Sequence, residues 1–238
     1  MKKYWVYIKT ILFFVLIVFV LGFTSKRNRM RKVKEVEVVF ADTDPLFLTH
    51  QMVNNLLIQK GRTVVNQSKS LINLQELEQR VETHPMIQRV EVSLGVVGDF
   101  RVSVVQRKPF AREYNKQGVF YIDSEGKKMP MSEVYSARVP ILNNQNGYIN
   151  TDEVFPLVQR IHDDMFLRKL VVTIKKDEQG YWLQTRFNHQ QVLFGELINT
   201  AQKIKKLKVF YNYMENDSLS ATFKKIDLQY NNQVVCSK

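Results

Sequence analysis

Few side chains in this sequence could do acid–base, nucleophilic or metal chemistry, and they are scattered. The four histidines, His50, His84, His162 and His189, fall in separate segments. The nearest thing to a ligand cluster is His162-Asp163-Asp164; a second pair of carboxylates, Asp42 and Asp44, stands just ahead of Pro45. A metal site needs ligands that converge on one point. Three consecutive residues at the end of an amphipathic helix diverge instead, and read as a solvated face. Asp-Thr-Asp-Pro reads as a turn. The single cysteine, Cys236, excludes an intramolecular disulfide framework and a multi-cysteine zinc site, and reads as a small strand residue, not a nucleophile. No H-E-x-x-H, G-x-S-x-G, G-x-G-x-x-G or G-x-x-x-x-G-K-[ST] occurs. No catalysis, no cofactor, no metal and no small-molecule substrate are expected. Function has to be sought in surfaces.

Charge narrows the choice of surface. The 238 residues carry 35 Lys and Arg against 23 Asp and Glu, a net +12. Nine of those bases and no acid lie in residues 1–34, which leaves 26 bases against 23 acids in the rest. A nearly neutral body offers no broad field for phosphates, and no nucleic-acid partner is expected. A hydrophobic share of 45% with 9 Gly and 6 Pro excludes a largely disordered or collagen-like chain. The length suits one large domain or two small ones.

The basic segment surrounds an apolar run. Ile11, Leu12, Phe13, Phe14, Val15, Leu16, Ile17, Val18, Phe19, Val20 and Leu21 are followed by Gly22 and Phe23. Such residues favour insertion into a bilayer by about 4–7 kcal/mol in sum. A helix from Trp5 to Phe23 would measure about 28 Å, against a hydrocarbon core of about 30 Å. Lys9 is near enough to the helix end to reach the headgroups, and Tyr4, Trp5 and Tyr7 would form an interfacial belt. A cleaved signal sequence would need small residues in an A-x-A-like pattern, which Gly22-Phe23-Thr24 matches poorly. A buried core helix does not suit an all-round apolar run between bare basic clusters. The segment is expected to remain as a membrane anchor. Three bases precede it and six follow (Lys26, Arg27, Arg29, Arg31, Lys32, Lys34). Taken alone, that bias places the body in the cytoplasm.

Beyond the anchor, Val36–Phe40 reads as a strand and Thr49–Lys60 as a helix ended by Gly61. Asn73 with Glu76 forms a capping box for a helix with Leu74, Leu77 and Val81 inward, stopped at His84-Pro85. Ile87–Leu94 and Phe100–Arg107 are strands around a Gly95–Asp99 turn. The order β-α-α-β-β makes a small α/β unit of two helices on one face of a three-stranded sheet. Further on, residues 118–127 form a strand and Gly-containing turn, and Val139–Leu142 a short edge piece because of Pro140. Asn150 opens a helix with Val154, Val158, Ile161 and Met165 on one stripe. Leu170–Ile174, Tyr181–Phe187 and Gln191–Phe194 are strands. Asn199–Glu215 is a helix with Ala201, Ile204, Leu207, Tyr211 and Met214 inward. Its Lys203, Lys205, Lys206 and Lys208 read as a solvated face, or else as a dock for an acidic partner. Ile226–Tyr230 and Gln233–Cys236 form a hairpin about Asn231-Asn232. An edge strand there could accept a strand from a partner.

Two runs carry a resemblance. His84-Pro85-Met86-Ile87-Gln88-Arg89-Val90-Glu91-Val92 and Arg101-Val102-Ser103-Val104-Val105-Gln106-Arg107-Lys108-Pro109-Phe110-Ala111 are similar to the POTRA domain of the bacterial cell-division FtsQ/DivIB family. The tip Gly95–Asp99 departs from it, lacking an Arg and a Trp-Pro pair, and Ala41-Asp42 replaces a Gly-Asn. Val119–Gly126, Val139–Leu142, Trp182–Thr185, Leu193-Phe194-Gly195 and Ile226–Tyr230 resemble successive motifs of the family's β-domain. Glu196 and Gln229 stand where the family carries bases.

The resemblance implies an α+β chain in three parts. Residues 1–34 hold a cytoplasmic tail, the transmembrane helix and a basic segment; 35–112 form a POTRA domain; 113–238 form a mixed β-sheet domain with packed helices. It implies a non-enzymatic divisome scaffold at the septum, its body periplasmic, against the charge bias. The implied partners are FtsB- and FtsL-like bitopic division proteins, one of which adds a strand to the last strand. The residues this maps to are Tyr230, Gln233, Val234 and Val235, with Gln229 and Gly195. Val102 and Val104 at a POTRA edge are a weaker candidate surface. The alternative is a POTRA-containing outer-membrane assembly or translocation component, which would show tandem repeats and a barrel. A membrane-tethered nucleic-acid binder and a murein enzyme are the remaining readings.

Overall fold

The computed structural model describes residues 2–41, 47–58, 61, 63–214 and 223–238. Asp42, Asp44, Pro45, Lys60, Glu215 and the side chain of Tyr4 lie outside the described residues. The chain divides into two compact units, Met1–Gln106 and Arg107–Lys238.

The first unit opens with one long helix, α1 (Lys2–Met30). Its segment Tyr7–Met30 is long and apolar enough to cross a membrane. Every side chain from Ile11 to Leu21 is exposed, as befits a helix whose solvent is lipid. Near its start the Lys9 ammonium lies 3.6 Å from the centre of the Trp5 ring, one turn back. The unit continues with β1 (Glu35–Phe40), α2 (His50–Leu56), a 3-10 turn (Lys69–Leu71), α3 (Leu74–Glu82), β2 (Ile87–Leu94) and β3 (Asp99–Gln106). The caps are those the residue types call for: Thr49 accepts from the Met52 N–H and Asn73 from the Glu76 N–H. The sheet order is β1-β3-β2, with β1 parallel and β2 antiparallel to β3.

That order corrects one expectation. β3 is the central strand, so Val102 and Val104 are fully buried and form no edge. A parallel β1–β3 pairing joins segments about 60 residues apart, a contact that local patterning does not encode. Gln106 shows how far β3 is enclosed: its buried Oε1 accepts from the N–H groups of Phe47 and Leu48, at 2.8 and 3.2 Å.

The second unit comprises β4 (Pro109–Asn115), β5 (Gly118–Asp123), β6 (Lys128–Met129), β7 (Ile141–Asn143), α4 (Thr151–Asp163), α5 (Met165–Leu170), β8 (Val171–Asp177), β9 (Gly180–Thr185), β10 (Gln191–Gly195), α6 (Thr200–Met214), β11 (Lys225–Asp227) and β12 (Val235–Ser237). One mixed sheet runs β12-β11-β10-β9-β8-β7-β4-β5-β6. Residues of α4, α5 and α6 join the sheet's Ile122, Leu142, Ile174, Leu183, Phe194 and Ile226 in a single core.

Four local expectations change here. The units part at Gln106/Arg107 instead of after 112, because Pro109–Asn115 is a strand of the second sheet. Its polarity hid it: Glu113 is buried, accepting from Asn144, Asn115 and Thr151. Ile141–Asn143 lies inside the sheet between β4 and β8, Pro140 standing just outside the strand, where it removes no ladder donor. The helix opened by Asn150 stops at Asp163; Asp164 then caps α5 through the Phe166 and Leu167 N–H groups, and Met165 is left exposed. His162 is no part of a solvated cluster: its ring stacks on Phe110 at 3.6 Å between centroids.

Candidate functional site

The residues expected to meet a partner converge on one end of the second sheet, though not as a long hairpin. β11 and β12 pair over three residues only: Lys225 with Ser237, Ile226 with Cys236, Asp227 with Val235. Residues 228–234 form the connection, with Asn232 at positive φ. Two contacts draw Leu228–Tyr230 off the β12 partner. The Leu228 N–H continues onto the Leu193 carbonyl of β10 at 3.0 Å. The Lys206 ammonium of α6 then donates to the carbonyls of Leu228 and Tyr230, at 2.8 and 2.6 Å. Of the six candidates, only Val235 is in the edge strand. Tyr230, Gln229 and Gln233 are exposed in the loop, and Val234 packs partly on the core.

Gly195 is buried, with φ +69°. A Cβ there would come within 2.5 Å of Gln229 Nε2, and one on Gly180 within 2.7 Å of the Gly195 carbonyl carbon. The two glycines let β9, β10 and Gln229 close on each other. Gly195 therefore shapes the site from beneath.

α6 supplies the opposite wall. Leu207 is fully buried, and Ile204, Phe210 and Tyr211 pack on the core. Tyr211 donates to Gln190 Oε1 at 2.7 Å, and Gln190 donates to the Phe223 carbonyl at 2.9 Å. Burial pushes the Tyr211 hydroxyl up to about 12, so it stays a neutral donor. Ala201, expected inward, is exposed. The lysines are engaged: Lys203 donates to the Phe194 and Glu196 carbonyls at 2.9 and 2.7 Å, Lys206 to the loop, and Lys208 to Asp164. Desolvation first, then its neighbour Lys206, lowers the Lys203 pKa. Lys203 and Lys206 thus staple α6 to the sheet end and Lys208 ties it to the cap of α5, and only Lys205 suits the solvated reading.

Between α6 and the loop lies a groove of about 930 Å³, lined among others by Ile198, Val209, Tyr213, Leu228, Gln233 and Val234. Ile198, Val209 and Tyr213 are 61, 59 and 76% exposed. Sequence reasoning passed over them. Their signal was an i, i+4 apolar pair, Val209 and Tyr213, lying off the inward stripe. Among the described residues no three His, Cys, Asp or Glu side chains gather as a metal site. Cys236 is partly buried in β12, and burial pushes its thiol pKa up.

Two family models match. One, described as FtsQ/DivIB, C-terminal related, covers residues 108–237, more than half of the chain. The chain belongs to the FtsQ/DivIB family. The other, described as a POTRA-like domain, covers residues 31–105. No curated protein matches the chain at a significant level. FtsQ/DivIB membership makes this a membrane-anchored protein of cell division, in a family of non-enzymatic scaffolds. The β12 end and the groove both belong to its FtsQ/DivIB-related domain.

Proposed function

We propose that this protein is a bitopic scaffold of the divisome that holds FtsB- and FtsL-like partners by strand addition along β12. Its N-terminus would lie in the cytoplasm and its body in the periplasm at the septum. One observation carries the reading: β12 is the outermost strand of the nine-stranded sheet, and no strand lies beyond it among the described residues. Its three residues, Val235, Cys236 and Ser237, carry no charge that would repel a pairing chain. Main-chain bonds along such an edge supply affinity, and flanking side chains supply register. Val235, Tyr230 and Gln233 are exposed beside it to do the latter, with Val234 and Gln229 at the rim and Gly195 setting the loop's height.

The test is a photo-crosslinking amino acid placed singly at Val235, Tyr230 and Val119 in the full-length protein in cells. Adducts to an FtsB-type partner from 235 and 230, but not from 119, are expected. Adducts from 119 alone would overturn the reading. A Val235→Cys variant labelled by an impermeant thiol reagent only after outer-membrane permeabilisation would give the expected orientation. Labelling only after lysis would reverse it.

A further inference from the structure

We infer that the β2–β3 hairpin tip of the POTRA unit, together with the basic segment after the span, docks on the anionic phospholipid surface of the membrane that α1 crosses. The apolar run ends at Phe23 and α1 at Met30, so the helix continues for about 10 Å as polar and basic sequence. An interfacial layer is about 5–7 Å thick on each side of the hydrocarbon, so the helix leaves it near its last turn.

There the chain is not a free linker. Lys32 bridges to Ser68, the Val33 N–H donates to the Gln67 carbonyl and the Lys34 N–H to the Gly98 carbonyl, both at 3.0 Å. The Arg31 guanidinium donates to the Val96 carbonyl at 2.9 Å, and the Lys69 ammonium to the carbonyls of Gly95 and Val96. A Cβ on Gly98 would meet the Lys32 carbonyl oxygen at 2.5 Å. The tip is thus fastened to the exit of the helix.

Apolar exposure gathers at the same place. Beyond Met30, the large hydrophobic side chains of this unit that are more than half exposed are Leu71, Val96 and Val97, at 72, 71 and 58%, among the described residues. Leu71 closes the 3-10 turn that packs on α1 and carries Lys69. Arg31, Lys32, Lys34 and Lys69 meet the tip or its turn, with Glu35 paired to Asp99 beside them, and Lys26, Arg27 and Arg29 precede them on the last turns of α1. Apolar tips ringed by bases are the composition of an interfacial contact with anionic lipid. A basic run after the span, unexplained by orientation, acquires a use.

The experiment takes the full chain, with Cys236→Ser, in nanodiscs of phosphatidylcholine with or without phosphatidylglycerol. An environment-sensitive fluorophore is placed at Val97→Cys, or at Glu82→Cys beside the far end of β2, about 25 Å away along the strand. Spin-labelled lipid should quench position 97 in anionic discs and spare position 82. Removing one base by Lys32→Gln should lower the docked-to-free ratio about fivefold, and Val96→Ser/Val97→Ser should abolish the contrast. Equal quenching at both positions, or equal quenching of 97 in neutral and anionic discs, overturns the proposal. So does a position 97 that stays water-accessible in discs yet crosslinks to a protein in cells.

Discussion

The two sheets of this molecule treat their edges differently. In the POTRA unit both edge strands are punctuated by charge: Glu35 and Glu37 on β1, Arg89 and Glu91 on β2. Glu37 is further held by Arg101 at 2.9 Å. Charged edges resist the addition of a further strand. The FtsQ/DivIB-related sheet closes one end with β6, a strand of two residues, and the other with β12, which is uncharged and beside a groove. The small unit carries charge on both edge strands and the large one an uncharged outermost strand, so the strand addition proposed above would be directed to β12.

The largest effect should come from reversing the roles of the buried and the open strand. Val102→Asp places an uncompensated charge in the centre of the POTRA sheet and should destabilise that unit on the order of 3–5 kcal/mol. Val235→Asp should change stability by no more than about 0.5 kcal/mol while abolishing capture of the partner strand. Denaturant titration of the full chain, beside co-purification of an FtsB-type partner, separates the two. A Val235→Asp variant that still captures its partner breaks the contrast.

Gly195 is next. Its positive φ and the nearby Gln229 side chain both oppose a Cβ, so Gly195→Ala should cost about 1–3 kcal/mol. Because the nearer obstacle is the end of a flexible side chain, adding Gln229→Ala should recover part of that loss. A double variant no better than the single would place the whole cost in the backbone.

Lys206→Met tests the staple on the loop. It removes the donor to the Leu228 and Tyr230 carbonyls and should cost about 1 kcal/mol, with faster amide exchange at 229–233 and weaker partner capture. Unchanged exchange would mean that the Leu228–Leu193 bond alone holds the loop.

These residues also mark where the sequence was legible. Asn73 and Asn150 cap the helices their types and spacing announced, because capping is settled within four residues. The spanning run was legible for the same reason, as composition alone sets it. The place of β3 was not, because it depends on a parallel pairing across the whole unit. Nor was the short β11–β12 ladder. Ile226–Tyr230 alternates like a strand, but a lysine on another element takes two of its carbonyls. The candidate residues therefore lie together at one end of the second sheet, but as a loop where alternation had assigned most of them to a strand.

The smallest effect is one of pH, and it tells the units apart. His162 is partly buried against Phe110, and burial lowers its pKa below the ordinary 6.5; Asp163 opposes the shift and Arg168 adds to it. His84 in the POTRA unit is lowered by burial as well. A histidine more basic unfolded than folded binds more protons in the unfolded chain, so stability falls as pH drops. The contribution is complete above 6.5, is lost as pH falls from 6.5 to the folded value, and is level below that. Asp164 has its own, more acid window. Burial alone would raise its pKa, but the Lys208 ammonium and the Leu167 and Phe166 N–H groups hold it below 3.8, so its stabilisation is lost as pH falls below that value. His162→Phe, which keeps a ring on Phe110, should flatten the upper step and leave the lower one; Asp164→Asn, still able to cap α5, should do the reverse. Trp182 is the tryptophan of the second unit, Trp5 lying in α1, so its fluorescence in urea follows that unit. A His162→Phe variant that keeps the full upper step in the Trp182 signal would show that the stacked ring is not what makes the second unit acid-sensitive.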